Sequence, residues 1–117
     1  MVQQDHPELL VACLCATWCK TCTEFRATFD KLSASNPSSK FVWLDVEDDS
    51  TLVGDIEIEN FPTLAVFRGD TPLFYGVTMP QEGVVVRTLA SLQRPDRDAI
   101  QVPDEIAGLP GALGARL

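Results

Sequence analysis

All four cysteines of the chain fall inside ten residues, Cys13-Leu14-Cys15-Ala16-Thr17-Trp18-Cys19-Lys20-Thr21-Cys22. Cysteines that staple a small fold are normally spread out so that their bridges close long loops, and this clustering argues against such a scaffold. Three uses are left: a metal site, a redox motif, or buried thiols acting as small hydrophobes. The flanks constrain the fold. Leu9 through Cys15 is an unbroken apolar run of strand length, the pattern of a strand covered on both faces as in a parallel sheet. From Cys19 to about Ala34 the period changes. Phe25, Phe29 and Leu32 stand at i, i+4 and i+7, while Glu24, Arg26, Asp30 and Lys31 lie off that stripe. This predicts an amphipathic helix starting at or just before Cys19.

Asn36-Pro37-Ser38-Ser39 reads as a loop and Phe41–Val46 as a second strand. Asp49-Ser50 offers caps for a short helix over about 51–57. Thr63–Phe67 and Pro72–Gly76 read as third and fourth strands, and the short turn Arg68-Gly69-Asp70-Thr71 makes them an antiparallel hairpin. A final helix is expected from Pro80 to Leu92, with Val85, Leu89 and Leu92 on one face and Pro80 at its start. The order β-α-β-α-β-β-α describes an α/β protein, a right-handed parallel unit followed by an antiparallel hairpin on the same mixed sheet. We expect one domain over residues 1–92 and a C-terminal tail over 93–117. In that tail Pro95, Pro103, Pro110, Gly108, Gly111 and Gly114 allow at most one short helical turn, near 103–109. Ile106, Leu109, Leu113 and Leu117 have helical spacing, but Pro110, Gly111 and Gly114 interrupt it, which predicts mobility or loose docking beyond about Gln93.

Composition sets the outer limits. A chain of 117 residues with 45% hydrophobic and 22% charged residues suits one soluble globular domain. No apolar run is long enough to cross a bilayer, so no membrane insertion is expected. The net charge is −8 and the nine Lys and Arg are scattered, which argues against nucleic acid or an anionic membrane as partner. Acidic residues gather at Asp45, Glu47, Asp48, Asp49, Asp55, Glu57 and Glu59. They read as a solvated face that aids solubility, or as a patch that steers basic partners; an EF-hand's alternation and central glycine are missing. Met1–Pro7 shows no basic segment followed by an apolar stretch, so we expect no cleavable secretory signal and a cytoplasmic location.

The chemistry concentrates at Cys19-Lys20-Thr21-Cys22, where the apolar strand hands over to the helix. A cysteine at a helix start faces free backbone N–H groups and the positive end of the dipole, which favour thiolate over thiol. Lys20 adds a full positive charge one residue away. Two intervening residues make one helical turn, so Cys22 lies beneath Cys19, close enough for a reducible disulfide. About 40 residues downstream, Phe61-Pro62-Thr63 precedes the third strand. A cis Phe61–Pro62 bond is expected there, leaving the Phe61 carbonyl and N–H free to pair with an extended substrate. Cys13 and Cys15 stand two apart on a strand and share a face. They read as small buried hydrophobes under the motif helix, with a backup thiol role as the alternative. A four-cysteine zinc site would require both to turn outward from a central strand, so no metal is expected. His6, alone in a terminal segment, reads as inert.

With Ala16-Thr17-Trp18-Cys19-Lys20-Thr21-Cys22, Phe61-Pro62-Thr63 followed by an apolar strand, and Gly76 after the hairpin, the chain resembles the thioredoxin family over roughly residues 8–92. The resemblance implies a minimal thioredoxin-like fold, with a four-stranded mixed sheet in the order 2-1-3-4 flanked by helices. It also implies thiol–disulfide exchange with no cofactor beyond a redox-active Cys19–Cys22 disulfide. Carried over, Cys19 is the attacking thiol, Cys22 the resolving thiol, and Trp18 shapes the docking surface. Pro62, after Phe61, is the cis-proline, and Gly76 lines the same groove. The implied protein is a monomeric enzyme that reduces protein disulfides and is itself reduced by an upstream reductase. A non-catalytic interaction module, or a metal-binding protein, is the alternative.

The departures from the family pattern are specific. By that resemblance we expect no room before Leu9 for the strand and helix that open full-length thioredoxins. The usual Gly-Pro of the motif is Lys20-Thr21, and the helix-kinking proline is Ala27, which implies a straighter helix. Cys13 replaces a buried aspartate credited with helping the resolving cysteine lose its proton, and Trp43 replaces the lysine that faces it. Losing both together spares the fold an unpaired buried charge. With Lys20 in place of a neutral glycine, the couple is expected to be less reducing than the about −270 mV of thioredoxin. The Trp-Cys-Lys-Thr-Cys form, continued by Glu24-Phe25-Arg26, also resembles the thioredoxin-like domains of membrane-linked thiol relays.

Overall fold

The structure is a computed structural model and describes residues 9–37, 39–49, 61–78, 81–92 and 98–113. The apolar run forms β1 (Leu10–Cys15), with every residue buried. It lies inside a four-stranded sheet of order β2-β1-β3-β4. Strand β2 (Lys40–Asp45) pairs parallel to it, β3 (Thr63–Arg68) antiparallel, and β4 (Thr71–Val77) closes the sheet antiparallel to β3. A strand with neighbours on both edges and layers on both faces has no place for a polar side chain, which is why β1 shows no alternation. The β3–β4 hairpin turns at Gly69, whose φ of 61° favours a residue without Cβ.

Helix α1 (Lys20–Ser35) joins β1 to β2 and lays Cys22, Phe25, Phe29 and Leu32 on one sheet face. Beside it packs α2 (Glu82–Leu92) through Val85, Leu89 and Leu92. The strand residues that meet them are Leu9, Val11, Cys13, Cys15, Leu64, Val66 and Leu73. Phe29 touches the rings of Phe41 and Trp43, each at a centroid distance of 5.4 Å, which fixes α1 over β2. At the other end of the layer, Arg68 donates to the Leu92 carbonyl at 3.1 Å, supplying a partner to the last turn of α2.

The opposite face carries Leu10, Ala12, Leu14, Leu44, Ala65 and Phe67, and it is covered by Ile106, Leu109 and Leu113. These come from α3 (Asp104–Ala107), α4 (Leu109–Ala112) and the residue that follows. The expectation of a mobile or loosely docked tail is therefore corrected: Ile106 and Leu113 are fully buried and Leu109 is 1% exposed. Gly108 separates the segment into two single-turn helices, so the apolar stripe continues across the break. Pro110 sits in the first turn of α4, where a missing N–H removes no helical hydrogen bond. Upstream, the Ile100 amide donates to the Pro72 carbonyl at 3.0 Å, attaching the segment to β4. The helix expected over 51–57 and the Pro80 start of α2 lie outside the described residues. Among the described residues, no helix is long and apolar enough to cross a membrane.

Candidate redox site

Strand β1 ends at Cys15, and the turn Ala16-Thr17-Trp18 delivers the chain to α1. The Cys19 amide donates back to the Ala16 carbonyl at 3.0 Å, and Cys19 takes an extended conformation (φ −89°, ψ 117°) as the N-cap residue of α1. The helix proper begins as the Thr23 amide donates to the Cys19 carbonyl at 3.1 Å, with the Thr23 hydroxyl donating to the same oxygen at 3.2 Å. No side chain caps this end and its first turn holds no acidic residue. The positive end of the helix therefore meets Cys19 without a competing anion. Lys20, the first residue of α1, is exposed.

Cys22 lies one turn further on, on the buried side of α1, and is bonded to Cys15 across a Cα–Cα distance of 5.8 Å. Cys19 is a free, half-buried thiol packed on the edge of the same cluster. The sequence reading pairs Cys22 with Cys19; the structure pairs it with Cys15. The stripe that carries Phe25 and Phe29 also points Cys22 at the sheet, where Cys15 emerges on the same face, whereas Cys19 stays at the rim. Both Cys15 and Cys22 are 1% exposed. Cys13, also free and wholly buried, places its sulfur 3.7 Å from that of Cys15. A bonded Cys15 carries no hydrogen, so the Cys13 thiol is the donor. Burial pushes the Cys13 thiol far up from its ordinary range, against a smaller opposing pull from the Arg26 charge. Cys13 remains a neutral thiol.

Around the motif, Trp18 stands exposed and its ring meets that of Phe61 edge-on. The Phe61–Pro62 peptide is cis. The Pro62 carbonyl accepts from the Thr78 amide at 3.0 Å, which holds this turn against the end of β4. Gly76 pairs with Leu64, two residues beyond Pro62. A Cβ at Gly76 would meet only the Phe74 ring, at 3.8 Å, so packing within the fold does not demand glycine there. Trp18, Cys19, Phe61, Pro62 and Gly76 thus flank the same end of the sheet.

A cleft of about 280 Å³ opens on the other side of Cys22, lined by Ala16, Thr17, Thr23, Arg26, Trp43 and Asp45. The Arg26 guanidinium lies 4.8 Å above the Trp43 ring while its Nε pairs with Asp30 at 3.2 Å. Part of the acidic run has a structural use. Asp45 accepts the Glu47 and Asp48 amides at 2.8 and 2.9 Å, and Asp49 accepts the Asp45 amide at 2.9 Å. Among the described residues, no group of three or more His, Cys, Asp or Glu is placed to hold a metal ion.

The sequence reading leaves Cys15 outside the candidate site. The signal for it was the spacing of two from Cys13, which sets both sulfurs toward the helix that carries Cys22.

A family model described as Thioredoxin matches residues 1–88. No curated protein matches the chain in sequence. Similar solved structures include the germline-specific thioredoxin Deadhead of Drosophila melanogaster, with 23% identity and a TM-score of 0.64, covering 74% of this chain and 82% of that one. Thioredoxin from Trypanosoma brucei brucei shares 24% identity with a TM-score of 0.63, covering 74% and 76%. A complex of ferredoxin:thioredoxin reductase with thioredoxin f2 also contains a similar chain, at 14% identity and TM-score 0.65, covering 76% and 81%.

Proposed function

The chain belongs to the thioredoxin family, and on that premise we propose that it is a thiol–disulfide oxidoreductase that reduces protein disulfides through Cys19 and Cys22. The observation that carries this reading is the position of Cys19. Of the two free thiols in the structure, Cys13 is buried and Cys19 reaches the surface, at the uncapped amino end of α1.

In the reduced protein the Cys19 thiolate attacks one sulfur of a substrate disulfide. A mixed disulfide forms and the second substrate sulfur leaves as a thiolate that takes up a proton. Cys22 then attacks the Cys19 sulfur, forming the Cys19–Cys22 disulfide and releasing the first substrate sulfur. The edge-on rings of Trp18 and Phe61, the backbone beside cis-Pro62 and the side-chain-free Gly76 offer a groove for an extended substrate segment. Lys20 adds positive charge next to the attacking sulfur. An upstream dithiol reductase restores the thiols; a similar fold bound to ferredoxin:thioredoxin reductase supports electron supply of that kind. Reduction of protein disulfides suits the cytoplasm, where thiols are kept reduced. A monomer suffices for every step.

The test is insulin reduction by the full chain with dithiothreitol as electron source, alongside Cys19→Ser and Cys22→Ser. Cys19→Ser should be inactive, and Cys22→Ser should accumulate mixed disulfides through Cys19 that dissolve on reduction. A Cys22→Ser protein that holds partners only non-covalently, with wild type no faster than dithiothreitol alone, would identify a binding module instead.

A further inference from the structure

The disulfide in the structure joins two buried sulfurs and leaves the surface thiol free. We propose that Cys15 is a further catalytic thiol, a second resolving residue that takes Cys22 away from Cys19, so that the oxidised protein holds its disulfide as Cys15–Cys22 and keeps Cys19 as a free thiol. The inference rests on the roles of Cys19 and Cys22 given above. The step begins with Cys19 and Cys22 bonded and Cys15 a thiol. Cys15 gives up its proton and its sulfur attacks that of Cys22. The Cys15–Cys22 bond forms as the Cys19–Cys22 bond breaks, and the electron pair leaves on the Cys19 sulfur, which takes up the proton directly or through water. One disulfide is exchanged for another, so no oxidant or reductant enters.

Geometry permits the transfer. Cys15 and Cys22 belong to one buried cluster, with Cα atoms 5.8 Å apart, and Cys19 packs on its edge one helical turn before Cys22. The environment gives it a direction. A thiolate released at Cys19 sits at the amino end of α1 with water beside it, whereas one released at Cys15 sits among Cys13, Phe25 and their apolar neighbours. Charge is far better accommodated at Cys19, so exchange runs toward the inner pair.

Cys13 ends the chain of sulfurs. Its thiol lies 3.7 Å from the Cys15 sulfur and can donate to it while charge builds there. Burial keeps that proton on Cys13, which therefore remains the hydrogen-bond donor to Cys15. The inner disulfide is then shielded from outside thiols. It is reopened when the Cys19 thiolate attacks Cys22 in reverse.

The experiment follows both insulin and the protein in one tube. The reduced full chain is mixed with one equivalent of insulin disulfide and quenched with acid. Free thiols are alkylated with iodoacetamide, disulfide sulfurs are reduced and labelled with N-ethylmaleimide, and the labels are placed by fragmentation of the peptides. Iodoacetamide on Cys13 and Cys19, with N-ethylmaleimide on Cys15 and Cys22, in more than half of the oxidised molecules is the expected result. In Cys15→Ala the free Cys19 should disappear from the oxidised form, falling from one per molecule to none. The wild-type map stands without that variant. Insulin reduced with Cys19 and Cys22 as the bonded pair in half or more of the molecules overturns the Cys15 role alone; no insulin reduction overturns the oxidoreductase reading and this one with it.

Discussion

The ring of Trp18 meets that of Phe61 edge to face, with centroids 5.5 Å apart and planes at 86°. The residue before Cys19 and the residue before Pro62 therefore form one apolar ledge. Trp18 is 67% exposed, so the core makes little use of it. Trp18→Ala should lower stability by no more than about 1 kcal/mol, read by urea unfolding. The same variant should raise KM for insulin several-fold and leave the rate with a small aromatic disulfide unchanged. Equal losses on both substrates would place the effect on Cys19 and not on docking.

The second face of the sheet makes a different demand. Leu109 is 1% exposed among Leu10, Leu14 and Phe67. Leu109→Ala should remove about 2–5 kcal/mol of unfolding free energy. A chain stopped after Pro103 should lose cooperative unfolding, because that face would be left bare. An unchanged urea midpoint in the shortened chain would contradict the packing described.

Cys13 predicts an alkaline limit to stability. Its folded-state titration is raised above the ordinary 9.0 by burial, with Arg26 opposing. A raised value means that the contribution to stability is complete below pH 9 and is lost as pH climbs above it, where the unfolded chain binds fewer protons. Urea unfolding at pH 8, 9 and 10 should therefore show wild type weakening faster than Cys13→Ala, by up to about 1.4 kcal/mol per pH unit. Tyr75, also raised by burial, adds a slope of the same sign to both proteins and cancels in the comparison. Parallel curves would assign the limit to another group.

Lys20 is exposed at the first position of α1. Its charge should assist Cys19 only where salt does not screen it. Lys20→Gln is expected to slow iodoacetamide capture of Cys19 at pH 7 roughly twofold at low salt, and hardly at all near 1 M salt, where the screening length is about 3 Å. A difference that persists at high salt would implicate the helix backbone instead of the charge.

Much of this site is legible in the sequence because each part carries its own local signal. The unbroken apolar run from Leu9 to Cys15 marks the doubly covered strand, and the change of period at Cys19 marks the helix start. Pro62 just before an apolar strand marks the turn beside them. The Cys15–Cys22 bond has no such signal. Strand periodicity puts Cys15 on the face of Cys13, and helix periodicity puts Cys22 on the stripe of Phe25. The distance between them, however, depends on how the turn Ala16-Thr17-Trp18 folds, which neither period determines. The buried role of Ile106, Leu109 and Leu113 is hidden for a related reason. Their stripe is helical in spacing, but Gly108 divides it into two single turns, and Pro110 and Gly111 mask the second in the sequence. Their burial follows from the shape of the sheet face they cover.

The covering of β1 also sets a schedule for synthesis. Residues 10–15 are made before the segment that covers them: Ile106, Leu109 and Leu113, which close over one side of that strand, follow roughly 94 residues later. At about 5–20 residues per second the interval is some 5–20 s. Throughout it the nascent chain carries Leu10 and Leu14 unshielded, joined later by Leu44 and Phe67. A holdase chaperone would find its binding surface there, and release would be timed by the arrival of Leu113.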